Sequence, residues 1–403
     1  MRNRRMILGL LLGGLCCLSF AGKPLENKGV SAYYEDTHYA IETGKNEELS
    51  VQAKSAYLMD FSTQTPIFAK NETQRLPIAS MCKIMTLLLA FEAIDSGAME
   101  LNETIMVSEK AASMGGSQVF LEANAKYLVT DLLKSIVVCS ANDSCVAIAE
   151  RIAGDERIFV ERMNAKAKEL GAHDTLFANC TGLPKEPQYS CAKDVATMLK
   201  SLLKHEKYYE YGSVWMDKFA HPQGRFTEIT NTNKLVRFYD GCDGGKTGFT
   251  NEAGFCLAAT AKRQEMRIIS VVIGEETSQT RFNDVRTMFD YAFANYTVAP
   301  IVKSGAIYQE KVEVDGGKEK YVSVYPAKSV YAFMRRGEKP NITLESKLIN
   351  VKAPVAKDES IGELIIYQDG VELDRVELLS DRIVKKANLF DRLQEIGEKW
   401  TGR

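Results

Sequence analysis

The chain of 403 residues carries 51 lysines and arginines against 53 aspartates and glutamates, and 45% of its residues are hydrophobic. This near-neutral balance, without a basic stripe, excludes a typical nucleic-acid-binding protein. The length predicts two domains, with ample sequence for a buried core.

The first residues have the pattern of an export signal. Three arginines, at positions 2, 4 and 5, precede an uncharged, leucine-rich stretch over residues 6–21, which ends in Ser19-Phe20-Ala21. Small residues at these positions are typical of a signal-peptidase site. We predict a signal peptide over residues 1–21 and a flexible polar lead over residues 22–48. The alternative is an uncut transmembrane anchor, for which the apolar part is short.

The next part of the chain predicts strands at its two ends and helices between them. Strands are expected over residues 55–60, 66–69, 256–261 and 267–273, the third of them preceded by Lys246-Thr247-Gly248-Phe249. Helices are expected over residues 129–138, 143–152, 159–170, 191–203 and 281–295. The pattern predicts an α+β fold over residues 49–297, in which one antiparallel sheet packs against a helical cluster.

Beyond Pro300 the pattern is that of a small all-β domain. Strands are predicted over residues 308–314, 321–325, 329–334 and 362–368, with Asp369-Gly370 as a hairpin turn. This domain, residues 300–380, contains no candidate chemistry. Residues 381–403 are predicted to form an amphipathic helix, which lies either on a membrane surface or on its own β domain.

Cysteine usage favours packing over cross-linking. Of nine cysteines, Cys16 and Cys17 fall in the signal peptide, which leaves an odd number, seven. We predict buried, reduced thiols, with Cys180 and Cys191 as the pair to test for a bridge. The four histidines are not at metal-ligand spacing, so neither a zinc site nor another cofactor is predicted.

The candidate chemistry begins at Ser80 and Lys83, just before an apolar run over residues 87–91. On a helix these two side chains lie one turn apart, and a desolvated lysine can accept the proton of a serine nucleophile. The Ser-x-x-Lys spacing is weak evidence alone, because Ser201 and Lys204 repeat it.

Two further elements follow in the order that active-site-serine acyltransferases use. Ser140-Ala141-Asn142 falls in the short connection between two predicted helices, and Lys246-Thr247-Gly248 leads into a predicted strand. In the alternative interpretation, Ser140 and Asn142 only cap the neighbouring helices.

The segments around these motifs resemble the low-molecular-mass penicillin-binding proteins that are D-alanyl-D-alanine carboxypeptidases. The resemblance is strong over residues 50–297 and rests on layout alone beyond them. The matching segments are residues 79–86, 140–143, 163–171, 182–184, 189–194 and 243–248.

The resemblance implies roles for nine residues. Ser80 would attack the carbonyl of the penultimate D-alanine of a peptidoglycan stem peptide, and Lys83 would take its proton. The backbone N–H groups of Ser80 and Phe249 would hold the oxyanion. Ser140, held by Lys246, would protonate the leaving D-alanine. The residues that would bind the rest of the substrate are Asn142, for the acyl chain, and Thr247 with Gly248 and Arg281, for the terminal carboxylate.

The resemblance also implies partners and a location: peptidoglycan stem peptides, β-lactam antibiotics, and a place at the cell wall or the outer face of the cytoplasmic membrane. In the competing interpretation, Arg281 is an ordinary surface charge. Asp194 also lies in a matching segment, but we interpret it as a structural residue. Two departures from the family pattern are Cys82, in place of threonine, and Gly245, in place of a branched apolar residue. The glycine is expected to loosen the strand before Lys246 and lower activity.

Three other functions fit the same residues. A β-lactamase would share the three motifs, but no glutamate-containing loop resembles the deacylating element of the class A enzymes. A D,D-endopeptidase would use the same residues on a cross-linked substrate. An inactive wall-binding protein is the non-enzyme alternative, against which the intact serine and lysine residues argue.

Overall fold

The computed structural model describes residues 49–391 and residue 393. The predicted signal peptide, the polar lead, and residues 392 and 394–403 of the predicted terminal helix lie outside them. The described strands are β1 Ser55–Asp60, β2 Pro66–Lys70, β3 Thr104–Met106, β4 Lys126–Leu128, β5 Met216–Ala220, β6 Phe226–Thr230, β7 Cys242–Thr250, β8 Gly254–Arg263, β9 Met266–Glu275, β10 Tyr296–Val302, β11 Gln309–Glu313, β12 Tyr321–Pro326, β13 Val330–Arg335, β14 Ile342–Leu348, β15 Ser360–Gln368 and β16 Val371–Ser380.

The described helices include all five that were predicted, with bounds that differ by at most three residues, and four more that the sequence did not delimit. They are α1 Lys83–Asp95, α2 Glu109–Ala112, α3 Val129–Cys139, α4 Asn142–Ala153, α5 Glu156–Glu169, α6 Ala192–Leu202, α7 Tyr208–Gly212, α8 Leu235–Phe238 and α9 Ser278–Asn295, with 3₁₀ turns at Ala79–Cys82 and Pro222–Gly224. Asn142 opens α4 instead of lying before it. The start of α9 lies before Arg281, because the side chain of Thr277 caps the helix in a reciprocal pair with Thr280.

The central sheet is antiparallel and has the strand order β2-β1-β9-β8-β7. β1 pairs with β9 from Ser55 opposite Ile273 to Asp60 opposite Ile268. The predicted sheet, closed by strands from both ends of the catalytic part, is therefore confirmed. β7, which carries Lys246, is an edge strand.

Both faces of the sheet are covered. In β9, Ile269 and Val271 pack with the helical cluster, whereas Ile268 and Val272 pack with α9 on the opposite face. Successive side chains of a strand point to opposite faces, so a strand between two layers needs apolar residues at nearly every position. The continuous apolar run over residues 267–273 follows from this position.

The C-terminal part is an all-β unit with its own apolar core, as predicted. Its main sheet has the order β11-β12-β16-β15-β14, and β10 pairs with β13 in a second, two-stranded sheet. The sequence did not predict β10, β14 or β16. β14 is an edge strand in which Ile342, Leu344 and Leu348 face the core, and the polar Ser346 interrupts their alternation.

The described start of the predicted terminal helix is not helical. Val384 forms a bridge with Val355, and Lys386 forms one with Gly317. Helical structure starts at Leu389, whose side chain is exposed, as is that of Phe390. Within residues 49–391, no helix combines the length and apolarity that a membrane crossing requires.

The seven cysteines predicted for the mature chain are all free thiols in the structure. Six are buried and Cys139 is half-buried. Cys180 and Cys191, the pair singled out for a bridge, are not bonded to each other.

A buried pair of carboxyl groups joins β9 to α9. Glu275 hydrogen-bonds Asp284, and Asp284 also accepts the backbone N–H groups of Gln52 and Ala53. Burial and the neighbouring Asp284 raise the pKa of Glu275 from 4.5 to about 8. The shared burial therefore favours the protonated form of Glu275, which can donate a hydrogen bond to Asp284.

This pair predicts a fall in stability with rising pH. Between about pH 4.5 and pH 8 the folded state holds a proton on Glu275 that the unfolded chain has released, so the free energy of unfolding decreases over this range. Glu275→Gln keeps a donor without an ionisable group and should flatten the decrease. Urea unfolding at pH 5 and pH 8.5 measures it. The exposed neighbour Glu276 supplies the control, Glu276→Gln, and equal slopes in the two variants would contradict the prediction.

Candidate active site

Ser80 lies in the 3₁₀ turn that leads into α1, and Lys83 is the first residue of that helix. Residues three apart eclipse one another in a 3₁₀ turn, which brings the two side chains together more directly than the predicted α-helix would. Lys83 Nζ lies 2.9 Å from Ser80 Oγ. Ala79, just before the nucleophile candidate, has a φ of +47°, an uncommon conformation for alanine that marks local backbone strain.

Lys83 is fully buried, and its amine has one further acceptor, the carbonyl oxygen of Thr181. Burial lowers the pKa of Lys83. The neighbouring thiols do not offset this effect by ionising, because burial raises the pKa of Cys145 to about 12. The site therefore favours a neutral amine beside Ser80, the state that can accept a proton.

The segment that supplies the Thr181 carbonyl is fixed by polar contacts. Asn179 Oδ1 accepts the N–H groups of Thr181, at 3.1 Å, and Gly182, at 2.7 Å. Thr86 Oγ1 donates to the carbonyl of Cys180 at 2.7 Å, which ties this segment to α1. The sequence did not indicate Thr181, because this residue contacts Lys83 through its backbone carbonyl and not through its side chain. The adjacent Gly182-Leu183-Pro184 motif was the only signal for this segment.

Ser140 ends α3 in the left-handed region, with a φ of +66°. Its Oγ is buried and has no hydrogen-bond partner among the residues that the structure describes, and neither has Oδ1 of Asn142. No side chain caps the start of α4. The interpretation as helix caps therefore fails, and the two buried oxygens are free for a ligand.

Asn142 is held by the loop over residues 115–121. Its Nδ2 donates to the Gly115 carbonyl and its backbone N–H to the Ser117 carbonyl, each at 2.7 Å. Buried Asp143 anchors the same loop by accepting the N–H groups of Val119 and Leu121, each at 3.1 Å. Asp143 is a positioning residue that belongs to the matching segment 140–143 but was assigned no role from the sequence.

Lys246 is buried on β7, where it donates from Nζ to the carbonyl of Thr247 at 3.1 Å. Its pKa is lowered well below the ordinary value, by burial and by the positive charge of Lys83. A Cβ at Gly248 would lie 3.3 Å from the backbone nitrogen of Ser80, which places β7 beside the turn that carries the serine. Thr232 links β7 to the end of α3, because its hydroxyl bonds Thr247 and its backbone N–H donates to the Val138 carbonyl at 3.0 Å. The end of α3, β7 and the start of α1 therefore converge on one site.

Thr247 and Gly248 continue the edge strand past the serine. Thr247 Oγ1 bonds Thr232 Oγ1 at 2.8 Å, a partner that the sequence gave no reason to expect. A Cβ at Gly248 would lie 2.6 Å from the Ile78 carbonyl, so only glycine lets β7 run this close to the Ser80 turn. The ring of Phe249 is exposed and stacks on Phe255, with centroids 4.3 Å apart.

Arg281 is buried, so it is not an ordinary surface charge. One guanidinium nitrogen donates to the carbonyls of Gly248 and Cys256, each at 3.3 Å, and another to Ser278 Oγ at 3.2 Å. Its Nε has no partner among the described residues. Burial lowers the pKa of Arg281 to about 10. The side chain ties α9 to the edge strand at the Lys-Thr-Gly motif.

Gly245 has a structural role different from the loosening that was expected. Its φ is +131°, and a Cβ there would lie 2.3 Å from the Ala258 carbonyl. Its N–H donates to the hydroxyl of buried Tyr208 at 2.8 Å. The position follows a bulge between Cys242 and Gly244, and glycine lets the bulged strand rejoin β8.

We expect Gly245→Val to destabilise the protein by about 1–3 kcal/mol, because it combines a disfavoured φ with a clash against backbone atoms. Displacement of Lys246 should also slow acylation by penicillin. Chemical denaturation and a stopped-flow acylation assay measure the two effects. Gly97 has a φ of +73° but open space around it, so Gly97→Ala reports strain alone. Equal stability losses in the two variants would contradict the role assigned to the clash.

Comparison with known proteins agrees with this geometry. A family model described as D-alanyl-D-alanine carboxypeptidase, peptidase S11, matches residues 42–277, and a model of the penicillin-binding protein 5 C-terminal domain matches residues 296–386. The D-alanyl-D-alanine carboxypeptidase DacF of Bacillus subtilis (strain 168) is 38% identical over 98% of this chain and 99% of its own length. DacC of Escherichia coli (strain K12), also a D-alanyl-D-alanine carboxypeptidase, is 30% identical over 86% of this chain and 88% of its own.

Solved structures show the same relationship. Penicillin-binding protein 5 from Haemophilus influenzae matches with a TM-score of 0.67 and 28% identity, covering 84% of this chain and 98% of that protein. Together, the matches span both the catalytic part and the C-terminal β unit. The chain belongs to the peptidase S11 family, the D-alanyl-D-alanine carboxypeptidases among the low-molecular-mass penicillin-binding proteins.

Proposed function

We propose that the protein removes the terminal D-alanine from peptidoglycan stem peptides through an acyl-enzyme on Ser80. The observation that carries this proposal is the 2.9 Å contact between Ser80 Oγ and the buried amine of Lys83. A serine hydroxyl is a poor nucleophile alone, and a neutral lysine within hydrogen-bond distance can take its proton as it attacks.

In the acylation step, Ser80 Oγ forms a bond to the penultimate D-alanine carbonyl carbon, and its proton passes to Lys83. The N–H groups of Ser80 and Phe249 stabilise the oxyanion, where each donor typically contributes about 3 kcal/mol. Ser140 gives a proton to the nitrogen of the departing D-alanine as the C–N bond breaks, and the proton that Lys83 took from Ser80 is passed back to Ser140. Support for this role comes from its buried, unpartnered hydroxyl. The expected hold of Lys246 on Ser140 is not observed as a hydrogen bond, because Lys246 Nζ donates to the Thr247 carbonyl and Ser140 Oγ has no partner among the described residues.

Substrate binding is assigned to the remaining site residues. Asn142 orients the acyl chain through its free Oδ1, since its amide nitrogen is already bonded to Gly115. Thr247 receives the terminal carboxylate, with Arg281 providing positive charge behind Gly248. Water then hydrolyses the acyl-enzyme. Penicillin would acylate Ser80 in the same way and leave slowly.

We further propose that residues 49–297 form the catalytic domain and residues 300–380 a separate β-rich domain. Export by the signal peptide at residues 1–21 would place both outside the cytoplasm. The exposed side chains of Leu389 and Phe390 support an attachment of the segment that follows Lys386 to the membrane surface, whereas Val384 and Lys386 pair with the β unit.

The reaction is tested with a stem pentapeptide, by measuring release of free D-alanine and the tetrapeptide product by mass spectrometry. A carboxypeptidase releases one D-alanine from each pentapeptide molecule. Rapid nitrocefin turnover without D-alanine release would instead establish a β-lactamase, and cleavage of a cross-linked dimer would establish an endopeptidase. If the folded protein neither reacts with penicillin nor releases D-alanine, the remaining function is that of an inactive wall-binding protein.

A further inference from the structure

A second cavity, of about 340 Å³, lies apart from the candidate active site. We call it the junction cavity, because it is lined by Lys200 from the end of α6, Lys204 just after that helix, Lys262 and Arg267 from the β8–β9 hairpin, and Tyr331 from β13. It is therefore bounded by both the catalytic part and the β unit. None of the residues lining it belongs to the site around Ser80.

The junction cavity has excess positive charge. Arg267 is neutralised, because its two terminal nitrogens each lie 2.7 Å from a carboxylate oxygen of Asp243. Lys200, Lys204 and Lys262 are not neutralised in this way. Their amines have no hydrogen bond and no ion pair among the described residues. Glu265 is the only carboxylate among the lining residues. Three ammonium groups thus share one opposing charge.

The surrounding structure does not relieve this excess. Burial and the nearby charge of Lys204 lower the pKa of Lys200 to about 8, so its charged form is disfavoured where it lies. Asp60, close to Lys200, is buried, and desolvation raises the pKa of its carboxyl group. Its Oδ1 already accepts the backbone N–H and the hydroxyl of Thr63, and its Oδ2 has no partner among the described residues, so Asp60 forms no ion pair with Lys200. An external anion would restore the charged state of Lys200 and remove the repulsion.

We propose that the junction cavity binds a phosphate-class anion, either a phosphate monoester or one phosphodiester unit of a polymer. Three lysines lining one cavity suit a compact anion with several acceptor oxygens. The hydroxyl groups of Ser62 and Ser329, which also line the cavity, add donors that a tetrahedral phosphate can use. The role of Lys204 also accounts for the second Ser-x-x-Lys segment, which has no part in the acyl-transfer site.

The test is isothermal titration calorimetry of the full mature chain with inorganic phosphate and, separately, with a short synthetic poly(glycerol phosphate), at constant ionic strength. We expect saturable binding of at least one of them. Lys200→Gln and Lys204→Gln should each weaken it about tenfold, the effect of losing one charge-assisted hydrogen bond. Preference for the polymer would identify a phosphodiester chain as the ligand, and preference for inorganic phosphate a free anion; either result supports the site.

Lys168→Gln is the matched control, since Lys168 is exposed on α5 and does not line the cavity. Each variant is also labelled with penicillin, which verifies that the catalytic part is folded. Absence of saturable binding to both probes would overturn the proposal. Equal affinity of the Lys200, Lys204 and Lys168 variants would overturn it as well, because binding would then be unspecific attraction to surface charge.

Discussion

Replacement of Ser80 by alanine should abolish the covalent adduct with benzylpenicillin and lower D-alanine release by about 10⁴-fold or more. The acyl-enzyme is an ester of the serine oxygen, so no other group at the site can replace it. The fold should be unaffected, because Ser80 is half-buried and its hydroxyl has one described contact, with Lys83. Intact-mass spectrometry detects the adduct directly.

Ser201→Ala supplies the control, because Ser201 has the same spacing to a lysine as Ser80. This variant should form one adduct, as the unchanged protein does. An adduct that persists in Ser80→Ala protein would move the nucleophile to another residue. Loss of the adduct in both variants would point to misfolding, which circular dichroism would reveal.

Replacement of Lys83 by methionine should lower the rate constant of acylation by about 10²–10⁴-fold, the usual contribution of a general base. Methionine occupies a similar volume without a charge, so the buried position can still be filled. In the unchanged protein the rate should rise with pH as Lys83 loses its proton. The rise should occur below the ordinary lysine pKa of 10.5, because burial lowers the pKa of Lys83.

Stopped-flow acylation over a range of pH separates a base from a structural lysine. A structural role predicts a lower rate with the same pH profile, whereas loss of the base should remove the rising limb that belongs to Lys83. Lys168→Met serves as the control and should retain both the rate and the profile. An unchanged profile in Lys83→Met protein would assign proton transfer to a different group.

Much of the site could be predicted from sequence because its signals are local. Ser80 and Lys83 are three residues apart, and their contact depends on one turn of backbone. Lys246 and Gly248 are recognisable from three consecutive residues. The apolar run of β9 likewise reveals a buried strand without knowledge of its neighbours.

The parts that could not be predicted depend on distant segments. Thr181 acts through a backbone carbonyl, so its residue type carries no signal, and Thr232 bonds Thr247 with one ordinary hydroxyl. The bulge at Gly245 depends on the backbone of β8. The sequence suggested a weaker strand there, because the absence of a side chain is visible in a sequence but the carbonyl that excludes it is not.

The pairing of β1 with β9 also determines when the central sheet can form during synthesis of the chain. A ribosome makes β1 early, but its main partner, Met266–Glu275, exists only after every helix of the cluster has been synthesised. Such nonlocal pairing slows folding, because a long loop must close before its contacts form. A nascent chain that stops before β9 already contains Ser80, Lys83, Ser140 and Lys246, yet it lacks the strand that joins the two halves of the sheet. Catalytic competence is therefore acquired late and all at once.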